Sequence, residues 1–592
     1  MNFHQKNTIS PSKLSLNSLR EILGYFKNDP TTLYSLLFVN RQWCDIAIQL
    51  LWRQPFEFTT QKNYGLIIET YICCLPELEK SRLILTGIKV PKHSKPFYKY
   101  SSYLRNFDSD KFHQAFNLWL KTNVIKESGG IDPLNLFCKP LKSLFGPMVS
   151  NHYNLTPSNI LHKAVNKCLE PIVQEYCSTH PNSNVVKEMQ SLLFSEFNRL
   201  RNLTLSCGCE GSLPLMEMID ALCMKNLDAL IHLQIFELNV QTTTQNQKID
   251  LSTEHDILEN LLLTIARNAT NIQHMKINVP HEYQFPPRVH IALYTMVASQ
   301  KKLSSYMSNY YWDSDFSIHS ALIRQSRSLK RLNLWGFTHF DDSLFQGLTK
   351  WTNLETLELV GCPGSSPMSC GPTNHRLNIK NLRIGIGYGS CPYIQTTLLQ
   401  MCNTNLQQLM IEGVTPEILE EIGLHCPNIT HLSLCAYQDI SKSLPKLISS
   451  LDHLKVLTLG HHEKFLFTKS TIRKFIQSIP SSLRFLSLNF NISYDSLKVL
   501  LDESQPQFYK LELHQTKTFH DQFINILIDY TITTKNLTQI KLFIPAFNLE
   551  QTKKMIQLSA PLEVASPGLL KSARKHINIC YRHDNRNIYS LW

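Results

Sequence analysis

Apolar residues recur at Leu-x-x-Leu-x-Leu spacing through the last two thirds of the chain. Leu354, Leu357 and Leu359 show it with polar residues between. The spacing also stands at Leu200/Leu203/Leu205, Leu230/Leu233/Ile235, Ile272/Met275/Ile277, Leu329/Leu332/Leu334 and Ile379/Leu382/Ile384. It continues at Leu406/Leu409/Ile411, Ile429/Leu432/Leu434, Leu454/Leu457/Leu459, Leu483/Leu486/Leu488, Phe508/Leu511/Leu513 and Leu537/Ile540/Leu542. From Leu329 onward the first anchors lie 23 to 29 residues apart. Alternating apolar positions describe a short strand with one buried face. A fixed period of this length describes one strand plus one helix or helical turn per repeat. Such a unit cannot bury its own apolar face, so stacking on its neighbours supplies the core. The expected fold is an α/β solenoid, bent into a horseshoe whose parallel strands line the concave side.

Helix starts fall between the strands. Thr415-Pro416-Glu417 offers an N-cap, a proline at the first helical position and an acid in the first turn, with Ile418, Leu419 and Ile422 as the apolar face. Ser493 is placed to cap a second helix carrying Leu497 and Leu500. The gaps from Leu230 to Ile272 and from Ile272 to Leu329 exceed the period, so a degenerate repeat or inserted loops lie there. Gln241 to Asp250 and the Pro- and Gly-rich Gly361 to Thr373 read as loops.

Residues 14–53 have a different rhythm. Leu16, Leu19, Leu23 and Phe26 follow helical spacing, with Ile22 widening the face. Asp29-Pro30 marks a second helix start, and Leu33, Leu36 and Leu37 continue the stripe. A third helix carries Trp43, Ile46, Ala47, Leu50 and Leu51. Three short helices make a marginal domain alone, so part of their apolar surface is expected to be covered. Residues 61–195 are less regular. They read as a mostly helical connector or degenerate first repeats, with helices at Tyr64 to Leu75 and Ile160 to Tyr176. Four regions result: 1–60, 61–195, 196–560 and 561–592.

Composition narrows the function. Hydrophobic content of 43% with 18% charged residues describes a folded chain. The net charge of +12 is spread along the sequence, whereas nucleic-acid binders gather their cations on one face or arm. No apolar leader and no run long enough to cross a membrane is readable. A cytoplasmic or nuclear location is therefore expected, and the 16 cysteines are expected to be free thiols. Cys207-Gly208-Cys209 lacks a second pair for a zinc site. Gly385-Ile386-Gly387-Tyr388-Gly389 lacks the spacing and setting of a phosphate loop. With no nucleophile–base or metal-ligand pattern, the chain reads as non-catalytic, with no cofactor.

The N-terminal residues carry a family resemblance. Leu14-Ser15-Leu16-Asn17-Ser18-Leu19-Arg20-Glu21-Ile22-Leu23, then Leu36-Leu37-Phe38-Val39-Asn40-Arg41-Gln42-Trp43 and Leu51-Trp52, resemble an F-box. With the repeats behind it, the chain is similar to fungal-type F-box proteins with C-terminal leucine-rich repeats. Ser15 departs from that pattern, standing where many members carry proline. The resemblance implies that residues 1–60 dock on the Skp-type adaptor, and through it the cullin, of a Skp–cullin–F-box ubiquitin ligase. Carried over by position, the adaptor-facing residues are Leu14, Leu19, Ile22, Leu36, Val39 and Trp43. Periodicity alone equally allows these six to form only the internal core of a helical cap. The resemblance also implies that the repeats hold a protein substrate for ubiquitin transfer. The other reading is an interaction scaffold with no ligase role.

Positions between the repeat leucines point away from the core. Among them Arg331, Glu358, Gln408, His431, Phe485 and Lys510 are the candidate target-binding residues, a mixed strip suited to a protein partner. It lacks the basic-plus-aromatic pattern of a single-strand nucleic-acid platform. Residues 561–592 have a basic excess, and a short helix from Leu569 to Ile577 is expected. Leu569, Leu570, Ile577 and Ile579 are placed to cap the open end of the array, or the tail is itself a recognition element.

Overall fold

The computed structural model describes residues 15–85, 96–126, 199–207, 227–240, 252–280, 283–309, 318–336, 347–361, 376–385, 392–402, 404–461, 469–490, 492–504, 508–514, 526–527, 530, 539–545 and 577–582. The chain divides into two compact units, Met1–Leu303 and Ser304–Trp592.

The first unit begins with α1 (Leu16–Gly24), α2 (Pro30–Leu36) and α3 (Arg41–Leu51). Each has a side-chain cap: Ser15 accepts from the Ser18 N–H, Asp29 from Thr32 and Asn40 from Trp43. These bonds satisfy N–H groups that lack intrahelical partners. Leu19, Leu23 and Ile46 form the core of the three helices, with Leu36, Trp43 and Leu50 packed against it. Four further helices come next: α4 (Pro55–Phe58), α5 (Tyr64–Cys74), α6 (Glu77–Leu85) and α7 (Ser109–Lys126). Aromatic rings join α3 to this layer. Trp52 meets Tyr71 edge-on at 5.6 Å and Tyr100 at 4.4 Å, and Phe56 meets Tyr64 and Phe112 edge-on. The Tyr98 hydroxyl donates to Asp45 of α3 at 2.6 Å. The three helices are thus fastened to the helical layer behind them and do not stand as a loose appendage.

Four parallel strands complete this unit: β1 (Asn106–Asp108), β2 (Asn202–Cys207), β3 (Ile235–Val240) and β4 (His274–Asn278). The second unit is parallel throughout. It holds β5 (Ser305–Ser308), β6 (Arg331–Trp335), β7 (Thr356–Val360), β8 (Asn381–Gly385), β9 (Gln408–Val414) and β10 (His431–Ala436), then β11 (Val456–His461), β12 (Phe485–Asn489), β13 (Lys510–His514), β14 (Gln539–Pro545) and β15 (Ile577–Arg582). Within each unit every strand pairs with the next in sequence, as a solenoid-like α/β repeat requires. Helices return the chain between strands. Pro416–His425 is capped by Thr415 and Tyr494–Glu503 by Ser493, as their sequences indicate.

Three details correct or complete the sequence reading. First, Leu203 and Leu205 align with Phe236 and Leu238, so the repeat assigned to Leu230/Leu233/Ile235 is Leu233/Phe236/Leu238. Leu230 is also buried, in the turn before the strand, and it imitates the first anchor. Second, of the two alternatives for the gap before Leu329, a degenerate repeat is present: β5, in which Leu303 and Tyr306 are buried like the leucines of its neighbours. Within 61–195, where degenerate first repeats are one expectation, β1 pairs with β2 and Phe107 aligns with Leu203. Third, Ile577 and Ile579 belong to β15 and not to the end of a helix; alternating β-branched Ile577-Asn578-Ile579 suits a strand. Leu569, Leu570 and the stretch Ile160 to Tyr176 lie outside the described residues.

Candidate interaction surfaces

The first surface is on the three-helix module. Its core claims Leu19, which is 2% exposed, and takes up most of Leu36 and Trp43. Ile22 and Val39 point elsewhere, at 39% and 55% exposed. Leu14 lies outside the described residues. The five described residues carried over from the family pattern therefore divide: one is core, two lie between core and surface, and two are open apolar side chains. Leu16, Tyr34 and Phe38 are also exposed. The rings of Tyr34 and Phe38 meet edge-on at 5.5 Å. Sequence reasoning missed these three, but a signal existed. Leu36-Leu37-Phe38-Val39 is an unbroken apolar run at a helix end, and a tight turn cannot turn four consecutive side chains inward. Single exposed apolar residues are ordinary, whereas several on one small module mark a contact surface.

The second surface is the sheet side of the second unit that faces away from the buried leucines. Strand register places Arg331, Gln408, His431, Phe485 and Lys510 in one file across the sheet, each at the first position of its strand. Glu358 stands in the adjoining file, two residues further along. All six candidate target-binding residues thus share one side. Their charges are mostly matched within the sheet. The Arg383 guanidinium lies 3.9 Å from Glu358 and 5.3 Å over the Trp335 ring. The Lys510 ammonium sits 4.3 Å over the Phe485 ring and 2.9 Å from Glu512 Oε1. Arg383 and Trp335 were not singled out in the sequence, although both occupy outward positions of the repeat.

His431 brings an imidazole to this file. Its Nδ1 lies 2.9 Å from Thr430 Oγ1, and that hydroxyl donates to the Gln407 carbonyl. Burial, and then the Lys455 charge, hold the imidazole below its usual pKa and keep it neutral at neutral pH.

Among the described residues no group of three His, Cys, Asp or Glu side chains is placed to hold a metal ion, and no helix is long and apolar enough to cross a membrane. Burial pushes the thiols of Cys426 and Cys435 up to about 12, so both are protonated at neutral pH.

No family model and no curated protein matches the sequence. Among solved structures, the crystal structure of the Rad7 and Elc1 complex in yeast is similar over 66% of this chain and 94% of that one, with 16% identity and a TM-score of 0.38.

Proposed function

We propose that the chain is the substrate receptor of a Skp–cullin–F-box ubiquitin ligase. The three-helix module docks the Skp-type adaptor, and the leucine-rich repeats of the second unit hold the target protein on their outward sheet face. The observation that carries this reading is the exposure of Ile22 and Val39 on a module whose own core is already closed by Leu19, Leu23 and Ile46. Leu36 and Trp43 support the docking residues from beneath, and Leu19 serves folding.

The proposed role is non-catalytic. A target held near a ubiquitin-charged conjugating enzyme meets it at raised effective concentration, which is enough to direct transfer. The matched charges of the outward face suit a protein partner: they give register and specificity without a strong net field. The test is co-purification of the full chain with a Skp-type adaptor. A stable one-to-one complex is expected. A folded chain that binds no such adaptor would leave the repeat array as an interaction scaffold without a ligase.

A further inference from the structure

The first unit contains a cavity of about 400 Å³ whose described lining includes Arg105, Arg199, Arg201 and Lys302 and no Asp or Glu. The repeat geometry builds it. The residue ahead of each strand offers its carbonyl to two N–H groups of the next repeat. The Arg53 carbonyl accepts from Arg105 and Asn106 at 2.9 and 3.1 Å, and the Arg105 carbonyl from Arg201 and Asn202 at 2.8 and 3.0 Å. Arg53, Arg105 and Arg201 therefore occupy one position on three successive turns, with backbones about one strand spacing, ~4.8 Å, apart. Arg105 and Arg201 line the cavity together with Arg199 and Lys302, and Arg53 stands next in the file, outside the described lining.

This arrangement is unfavourable as it stands. Burial pulls the Arg53 and Arg105 pKa values down, and the charge of Arg201 pulls both further. Arg199 adds to the effect on Arg105. Arg105 Nη1 is held by the carbonyls of Ser102 and Leu104. Arg53 Nε is buried with no hydrogen-bond partner among the described residues. Like charges gathered with no carboxylate in the described lining favour an anion. Arginine forks match phosphoryl oxygens two at a time. Four permanent cations around one cavity exceed what a single carboxylate or one phosphoryl group neutralises. The volume falls in the range of small-molecule sites. No Phe, Tyr or Trp stands in the described lining, whereas a single-strand nucleic-acid groove uses aromatic rings to stack bases.

We propose that this cavity binds a small anion bearing more than one phosphoryl group. The proposal is independent of adaptor docking. It is tested by titrating the full chain with tripolyphosphate, inorganic phosphate and a short single-stranded DNA at one ionic strength, using calorimetry and thermal melting. Tripolyphosphate should bind one site per chain, raise Tm, and bind at least tenfold more tightly than inorganic phosphate. Arg199→Gln, Arg201→Gln and Lys302→Gln alter exposed side chains, and each should weaken binding about tenfold while ligand-free Tm holds. Removing the same charge in the second unit with Lys474→Gln and Lys498→Gln should change nothing. Absent or non-saturable tripolyphosphate binding would overturn the proposal. So would equal weakening by the second-unit variants, retained affinity in the three first-unit variants, or DNA that displaces tripolyphosphate and depends on Arg201 in the same way.

Discussion

Leu19 and Ile22 sit three residues apart on one helix and have opposite environments: Leu19 is sealed between α1 and α3, and Ile22 faces solvent. Truncation separates the two. Leu19→Ala should destabilise the first unit by about 2–5 kcal/mol through lost burial and a residual cavity. Ile22→Ala should stay within about 0.5 kcal/mol, as exposed positions do. Denaturant melts followed by circular dichroism read both.

Ser15 stands where the family pattern has proline, and here it caps α1 through its hydroxyl. Its φ of −61° is one that proline also adopts. The departure thus exchanges one way of starting a helix for another and leaves the direction of the chain unchanged. Ser15→Ala should destabilise the module by about 1 kcal/mol. Adaptor affinity should change by less than about threefold, measured by calorimetry at a temperature where both forms are folded.

Gly385 tests the strand register of the second unit. A Cβ there would stand 2.9 Å from Val360 Cγ1 on the neighbouring strand. Gly385→Ala should therefore lower stability by about 1–3 kcal/mol through overpacking. Adding Val360→Ala should return part of that loss. A double-mutant cycle with no coupling would show that the two residues are not neighbours.

His113 gives a pH dependence. It is held mainly by burial below its ordinary pKa, with Asp110 opposing, and its Nε2 meets Asn117 Nδ2 at 2.9 Å. A depressed histidine pKa means that the folded state resists the proton while the unfolded chain accepts it near pH 6.5. Stability should therefore hold above that pH and fall as pH drops through 6.5 toward the lower folded value. His113→Gln should flatten this slope between pH 7.5 and 5.5 in denaturant titrations.

Much of the repeat array was legible because its signal is periodic and local. Thr415 and Ser493 cap the helices their sequences indicate. The shift from Leu230 to Leu233 and the concealed β5 show where local reading ends. A buried leucine in a turn resembles an anchor, and Tyr306 occupies a position where leucine was sought. Exposure on the three-helix module was half legible, because helical spacing names the apolar face and cannot say which of its edges the neighbouring helix covers. The cationic cavity was illegible. Arg105, Arg201 and Lys302 are far apart in sequence and come to one cavity only because repeats stack.

The most direct measurement is adaptor affinity of the full chain carrying Ile22→Asp or Val39→Asp, set beside its melting temperature. A lone charge pressed into an apolar contact is penalised by several kcal/mol in order of magnitude. Affinity for the Skp-type adaptor should fall at least about a hundredfold, a loss of roughly 3 kcal/mol. Tm should be unchanged, because both side chains are exposed in the free protein. Wild-type affinity in folded Ile22→Asp and Val39→Asp chains would contradict adaptor docking through this surface.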